Sequence, residues 1–302
     1  MKILLLGWNR DWPKRKGNWN HELFRRELAR QHEVIFWGAG YDNYDKRLSM
    51  DDVLSQFPNT DIILTHYEHR NRYFPTGLKN IKHIPKIHLC GGDYDEITAP
   101  GWNAHFNSTK YDIIFGRYLQ MVQDLKKYKV PGAIKFLPWS VDINVYKKLD
   151  IKKSVDVSAI FQAHARIHPD RHLLRNRLSK MKLNSFIGTA WFGDYIKKIN
   201  ESKICVSSNV RFPRLSGKYY EILACGTFFL TTRPEDFAML GFEDNKHLIL
   251  YKDNFVNFEE KINYYLEHEK EREKIALEGM NFVRKYHNTV LRVKQFIDLI
   301  EE

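Results

Sequence analysis

The chain alternates short, wholly apolar runs with longer stretches whose apolar positions recur every three or four residues. Runs of the first kind predict buried parallel strands, because a strand covered on both faces has no polar side to show. In the first half they fall at 2–6, 33–37, 61–65, 85–90, 112–115 and 134–137. Stretches of the second kind predict helices, notably over 20–31 and 118–128. A lysine-rich, poorly periodic linker at 147–153 then opens onto a second alternation. There, strands are expected at 155–161, 185–187, 203–207, 227–232 and 248–251, and helices at 258–267, 270–285 and 289–300. A further helix starts at Pro169, since proline suits a first helical position. The pattern predicts two α/β halves, each a parallel sheet with helices on both faces. Ligands meet such sheets at the carboxyl ends of the strands. In the first half those ends lead into residues 7–19, 66–69, 91–95 and 116–117.

The second half carries the most pointed chemistry, in Arg214-Leu-Ser-Gly-Lys218-Tyr-Tyr-Glu221-Ile-Leu-Ala-Cys-Gly226. Ser216 and Gly217 can start a short helix and Gly226 can end it. Lys218 is the odd residue. A cation in the first helical turn opposes the helix dipole at a cost of about a few tenths of a kcal/mol. An anion docked on the amides of 216–218 would turn that cost into a gain. Glu221, one turn on, could accept hydrogen bonds from hydroxyls such as those of a ribose. The same residues also describe an ordinary surface helix with a solvated glutamate.

Other candidates are more scattered. Asp93, followed by Asp95 and Glu96, comes after a strand and could act as a general base or hold a substrate hydroxyl; a turn aspartate reads the same. His66 begins His66-Tyr-Glu68-His69, which lacks the HExxH spacing, so no metal site is expected. Trp8, Trp12 and Trp19 lie in a basic loop that could stack sugars or bases. Arg166 and Arg171 flank the loop after the second half's first strand. His164, His168 and His172 are spaced by fours, but the residue before Pro169 avoids the helical region, so they do not share one helix face.

Composition adds a general bias. The 302 residues carry a formal charge of +11, with a pI near 9.3, spread over both halves without a basic tail. That favours anionic partners such as nucleotides, phospholipid surfaces or nucleic acid without choosing among them. Three scattered cysteines, Cys90, Cys205 and Cys225, suit a reduced, cytosolic protein. The apolar start is too short for a signal-peptide core, and no apolar run is long enough to span a membrane.

Taken together, Lys218-Tyr-Tyr-Glu221-Ile-Leu-Ala-Cys-Gly226-Thr, the stretch 248–253, and residues 279–292 with His287-Asn-Thr resemble the GT-B-fold glycosyltransferases. They resemble most the group-1-related family that includes the spore-maturation protein CgeB. Leu137-Pro-Trp-Ser-Val-Asp142 is similar to the segment with which such enzymes leave their first domain, and 157–171 to the start of their second. The resemblance implies two Rossmann-like doubly wound domains facing a central cleft. It places an acceptor-binding domain at 1–142, a nucleotide-sugar-binding domain at 143–285, and a final helix at 286–302 crossing back to the first domain. It implies transfer of sugar from a nucleotide diphosphate sugar (UDP or GDP type) to a hydroxyl acceptor; the basic residues, with no DxD-like acidic pair after a strand in the second half, suit a metal-independent route with no other cofactor. Glu221 would hold the ribose; Ser216, Gly217, Lys218 and Arg214 would face the diphosphate, with Arg166 or Arg171 assisting. Asp93 is the first candidate for the base of an inverting route. In a retaining route Asp93 or His66 would position substrate. Two residues depart from the family's pattern. Pro213 stands where many relatives carry a sugar-contacting glutamate, and Gln162 where a glycine is frequent. Rival readings are a nucleic-acid binder, a transferase acting on nucleic acid, or a sugar-nucleotide epimerase on the same fold.

Overall fold

A computed structural model describes residues 1–9, 20–66, 74–91, 100–163, 168–208 and 214–302, with backbone only for 100–103. The candidates Trp12, Trp19, Asp93, Arg166 and Pro213 lie outside the described residues. The chain forms two compact units, one of Met1–Pro138 with Arg292–Glu302, the other of Trp139–Leu291.

In the first unit, strands β1 (Lys2–Leu6), β2 (Glu33–Trp37), β3 (Ile62–His66), β4 (Lys86–Leu89), β5 (Ile113–Gly116) and β6 (Ala133–Phe136) form a six-stranded sheet. Its order is β2-β1-β3-β4-β5-β6 and every pairing is parallel. Helix α1 (Asn20–Gln31) follows β1, and α2 (Met50–Gln56), α3 (Pro100–Thr109) and α4 (Leu119–Lys127) connect later strands. The apolar runs lie where expected, each within a residue or two of its strand. Helix α2 was not anticipated, although its signal is present. Ser49 accepts from the Asp52 amide at 3.2 Å, and Asp52 accepts from the Ser49 amide at 2.9 Å, a reciprocal cap that starts a short helix on its own.

The second unit repeats the plan with β7 (Val155–Ile160), β8 (Ser185–Gly188), β9 (Ser202–Val206), β10 (Phe228–Thr231) and β11 (Ile249–Leu250). These pair in parallel in the order β11-β10-β9-β7-β8. Helices α5 (Pro169–Leu178), α6 (Phe192–Glu201), α7 (Gly217–Ala224), α8 (Phe258–Glu267) and α9 (Glu269–Tyr286) belong to this unit. Helix α6 also went unforeseen. Its apolar residues Phe192, Tyr195, Ile196 and Ile199 follow the helical period.

Helix α10 (Thr289–Glu301) contributes to the first unit from Arg292 onward. Its Val293, Phe296 and Ile297 join the core of Ile3, Leu5, Phe24, Leu64 and Phe115. The Phe296 ring lies 5.6 Å from Phe24 and 5.0 Å from Phe115. The division falls four residues before the expected Asp142 boundary and six after the expected residue 285, with α10 counted in the first unit from Arg292. No helix among the described residues is long and apolar enough to cross a membrane. All three cysteines are free and buried.

In the second unit, Gly279 of α9 sits where a side chain has no room. A Cβ there would stand 2.2 Å from the His247 carbonyl oxygen and 2.8 Å from Leu223 Cδ2. The helix therefore rests directly on backbone. Gly279→Ala is expected to cost about 1–3 kcal/mol by overpacking, read as a drop of several degrees in thermal midpoint. An unchanged midpoint would show that α9 has room to move away.

Candidate functional site

Strand order reverses between β7 and β9, which leave their helices on opposite faces and open a crevice at their carboxyl ends. Helix α7 follows β9 and begins at that crevice. Its N-cap, Ser216, is extended (φ −77°, ψ 167°), and its hydroxyl makes no capping bond. The first-turn amides of a helix have no intrahelical acceptor, and those at Gly217 and Lys218 are not capped by the Ser216 side chain.

Lys218 turns back onto β7. Its Nζ donates to the carbonyl of Ile160, the last residue of that strand, at 2.7 Å, and to the Tyr195 hydroxyl at 3.3 Å. The ammonium also stands 4.7 Å from the centre of the Tyr195 ring, within cation–π range. Tyr195 passes the chain on, its hydroxyl donating to Glu221 Oε2 at 2.7 Å. Lysine, tyrosine and glutamate thus form one line of hydrogen bonds. An ammonium has three protons, and among the described residues only two acceptors meet this one.

Burial decides the charge states. It lowers the Lys218 ammonium to about 8; the Arg171 guanidinium adds to this and Glu221 opposes it. Tyr195 is pushed well up by burial and then by Glu221 and Tyr146, so it stays protonated and donates. Glu221 itself is 7% exposed. Arg171, in the first turn of α5, lies with its guanidinium 5.3 Å from the Phe161 ring just past β7. Arg214 sits two residues before the N-cap, and the next amide, Leu215, donates to Asp236 at 3.3 Å. Lys218, Glu221, Ser216, Gly217 and Arg171 therefore gather at one strand-order reversal. Tyr195 was missed because α6 was missed.

The first unit has its own reversal, between β1 and β3, and His66 ends β3 there. His66 is fully buried. Arg25 of α1 donates through Nε to His66 Nδ1 at 3.3 Å and through Nη2 to the His66 carbonyl at 2.8 Å. Its Nε2 faces His21 Nδ1 at 2.9 Å and Arg117 Nη2 at 3.5 Å. Burial first, then Arg25, His21 and Arg117, hold His66 well below the usual histidine range, so it is neutral. Both ring nitrogens are engaged inside the fold. No group of three or more potential metal-ligating side chains occurs among the described residues.

Removing the Tyr195 hydroxyl should be felt at Glu221. A double-mutant cycle of Tyr195→Phe and Glu221→Ala is expected to give a coupling of about 0.5–3 kcal/mol in chemical unfolding. A coupling near zero would mean that the two side chains act independently.

Residues 169–298 match the model of a family described as glycosyl transferase-like. Among solved structures, HepE from Anabaena in complex with UDP-glucose superposes with a TM-score of 0.70 at 12% identity, covering 100% of this chain and 99% of that one. Sucrose-phosphate synthase from Thermosynechococcus elongatus gives 0.67 at 11%, over 99% and 98%. An α-glucosyltransferase in complex with UDP and a 13-mer DNA gives 0.64 at 12%, over all of both chains. No curated protein sequence matches the chain. Both units have the parallel-sheet Rossmann-like plan of the GT-B structures. Residues 169–298 are thus similar in sequence to the glycosyl transferase-like family, and the chain as a whole shares the fold of the GT-B structures.

Proposed function

We propose that the protein transfers a sugar from a nucleotide diphosphate sugar to a hydroxyl acceptor. The observation that carries this is the line Lys218–Tyr195–Glu221 at the strand-order reversal of the second sheet, inside the glycosyl transferase-like segment. The family match and the shared fold both support glycosyltransferase activity. In this reading Glu221 accepts the ribose hydroxyls with Tyr195 fixing its carboxylate. Lys218, Arg171, Arg214 and Arg166, with the amides at Ser216 and Gly217, face the diphosphate.

As the bond to the anomeric carbon breaks, negative charge grows on the leaving diphosphate, and fixed cations with a helix N-terminus stabilise it without a metal. Asp93 takes the acceptor proton in an inverting transfer. His66, wholly inside the fold, positions Arg25 and His21 and does not meet the acceptor itself. UDP is the first nucleotide to try, since HepE, 12% identical, is seen with UDP-glucose. Membership of the CgeB-containing family and a cytoplasmic site of action, where nucleotide sugars are made, complete the proposal.

A nucleic-acid acceptor is the second reading, favoured by the charge of +11 and by the DNA complex of the similarly folded α-glucosyltransferase. Thermal shift with UDP, GDP, dTDP and CMP separates the readings. Ligand at about 100 times its dissociation constant adds about 2.7 kcal/mol of stability. A nucleotide diphosphate is expected to give such a shift, and Glu221→Ala and Lys218→Ala to lose it together with slow donor hydrolysis. No shift with any nucleotide, beside a salt-sensitive shift with DNA, would sink the sugar-donor reading.

The pH dependence gives an independent check. Lys218 in the free protein loses its proton from about pH 8, and a bound diphosphate favours the charged form. Diphosphate affinity is therefore expected to decline as pH rises above about 8, and Lys218→Arg to hold its affinity to higher pH. A flat profile in both proteins would remove Lys218 from the anion site.

A further inference from the structure

The opposite end of α7 has a second concentration of positive charge. Beneath the amino ends of β9 and β10 lies a pocket of about 170 Å³ whose charged lining is Lys148, Lys153, Lys203 and Arg272 against one carboxylate, Glu273, with Phe228 and Leu277 among its apolar residues. Gly226, just past the end of α7, leaves it open. Its φ is +65°, and a Cβ there would meet Met280 Sδ at 3.1 Å and Lys148 Cδ at 3.5 Å.

The four cations come from separate parts of the unit and are unevenly balanced. Lys203 pairs with Asp156 at 2.7 Å, and Arg272 with the exposed Glu269 at 3.1 Å. Lys153 donates only to neutral oxygens, those of Ser202 at 2.8 Å, Thr227 at 3.2 Å and Asn200 at 3.4 Å. Lys148 has no ion pair or hydrogen bond among the described residues. Burial lowers the Lys153 ammonium, and the charges of Lys148 and Arg272 lower it further. Capping of the α6 carbonyls explains Lys153. It explains neither Lys148 nor the space between them.

We propose that this pocket binds a small phosphate monoester, its phosphoryl group meeting Lys148 in the field of Lys153 and Arg272 and its organic group lying on Phe228 and Leu277. A dianion there relieves cation–cation repulsion in a half-enclosed place, where charges are screened least. The volume is well below the roughly 300 Å³ at which drug-sized pockets begin. It suits a phosphoryl group with a short chain or ring better than a nucleoside diphosphate. Nucleotide binding at Lys218 is not required for it.

Phenyl phosphate is the probe, titrated by thermal shift at constant ionic strength against the intact protein and three variants. Lys148 and Leu277 are both exposed, so Lys148→Glu and Leu277→Trp fold; the first reverses a charge and the second fills the mouth with every charge kept. A saturable rise in midpoint is expected, retained in Lys218→Ala and weakened about tenfold or more in Lys148→Glu, as loss of a charged contact implies, and in Leu277→Trp, where the indole occupies the mouth. Absence of a saturable rise, or unchanged binding in either pocket variant, overturns the proposal. So does loss of the rise in Lys218→Ala, which would place the anion at the other end of the helix.

Discussion

A lysine ammonium drawn partly out of water at the end of β7 is the constraint on which the second unit's ligand edge depends. Desolvation makes that charge expensive, and the fold compensates with a carbonyl, an aromatic face and a carboxylate relayed through one hydroxyl. Those groups come from β7, α6 and α7, so three elements must be in register for one cation to be tolerated. Arg171, from α5, works in the other direction by adding like charge.

The first unit solves a similar problem by enclosure. His66 gives its carbonyl and one ring nitrogen to the same arginine. Alongside, Thr65 Oγ1 lies 2.7 Å from His88 Nδ1 and 3.1 Å from the Tyr111 hydroxyl, which lies 3.0 Å from His105 Nε2. A buried polar chain of this kind is stable only when its members satisfy one another, and it then fixes their rotamers. It makes the edge of the sheet stiff where β3 ends.

Much of the fold was legible because burial leaves a direct mark on composition. A run such as Lys2–Leu6 has one plausible place, inside a parallel sheet, and the same holds for Val155–Ile160. Lys218 and Glu221 were legible for a local reason, since a cation in a first turn contradicts the helix dipole. Tyr195 was not, because a tyrosine on an apolar helix face reads as core, and only the third dimension shows its hydroxyl meeting Glu221. His66 was legible as a residue at a strand's end but not as a buried one. Its partners Arg25 and Arg117 are far from it in sequence, and nothing local marks an arginine that will be nearly inaccessible. The pocket residues Lys148, Lys153, Lys203 and Arg272 looked like separate solvated charges for the same reason.

The position of α10 has a bearing on how the protein is made. Chains emerge from the ribosome in order, and domains as a rule fold as they appear. Here Val293, Phe296 and Ile297 belong to the core of a unit whose other residues end at Pro138. All six strands of the first sheet are synthesised long before the side chains that complete its core. Until then the faces of Phe24 and Phe115 that meet Phe296 stay uncovered. The second unit, contiguous in sequence, needs no such wait. Birth order and completion order are therefore reversed: the half made first closes its core last.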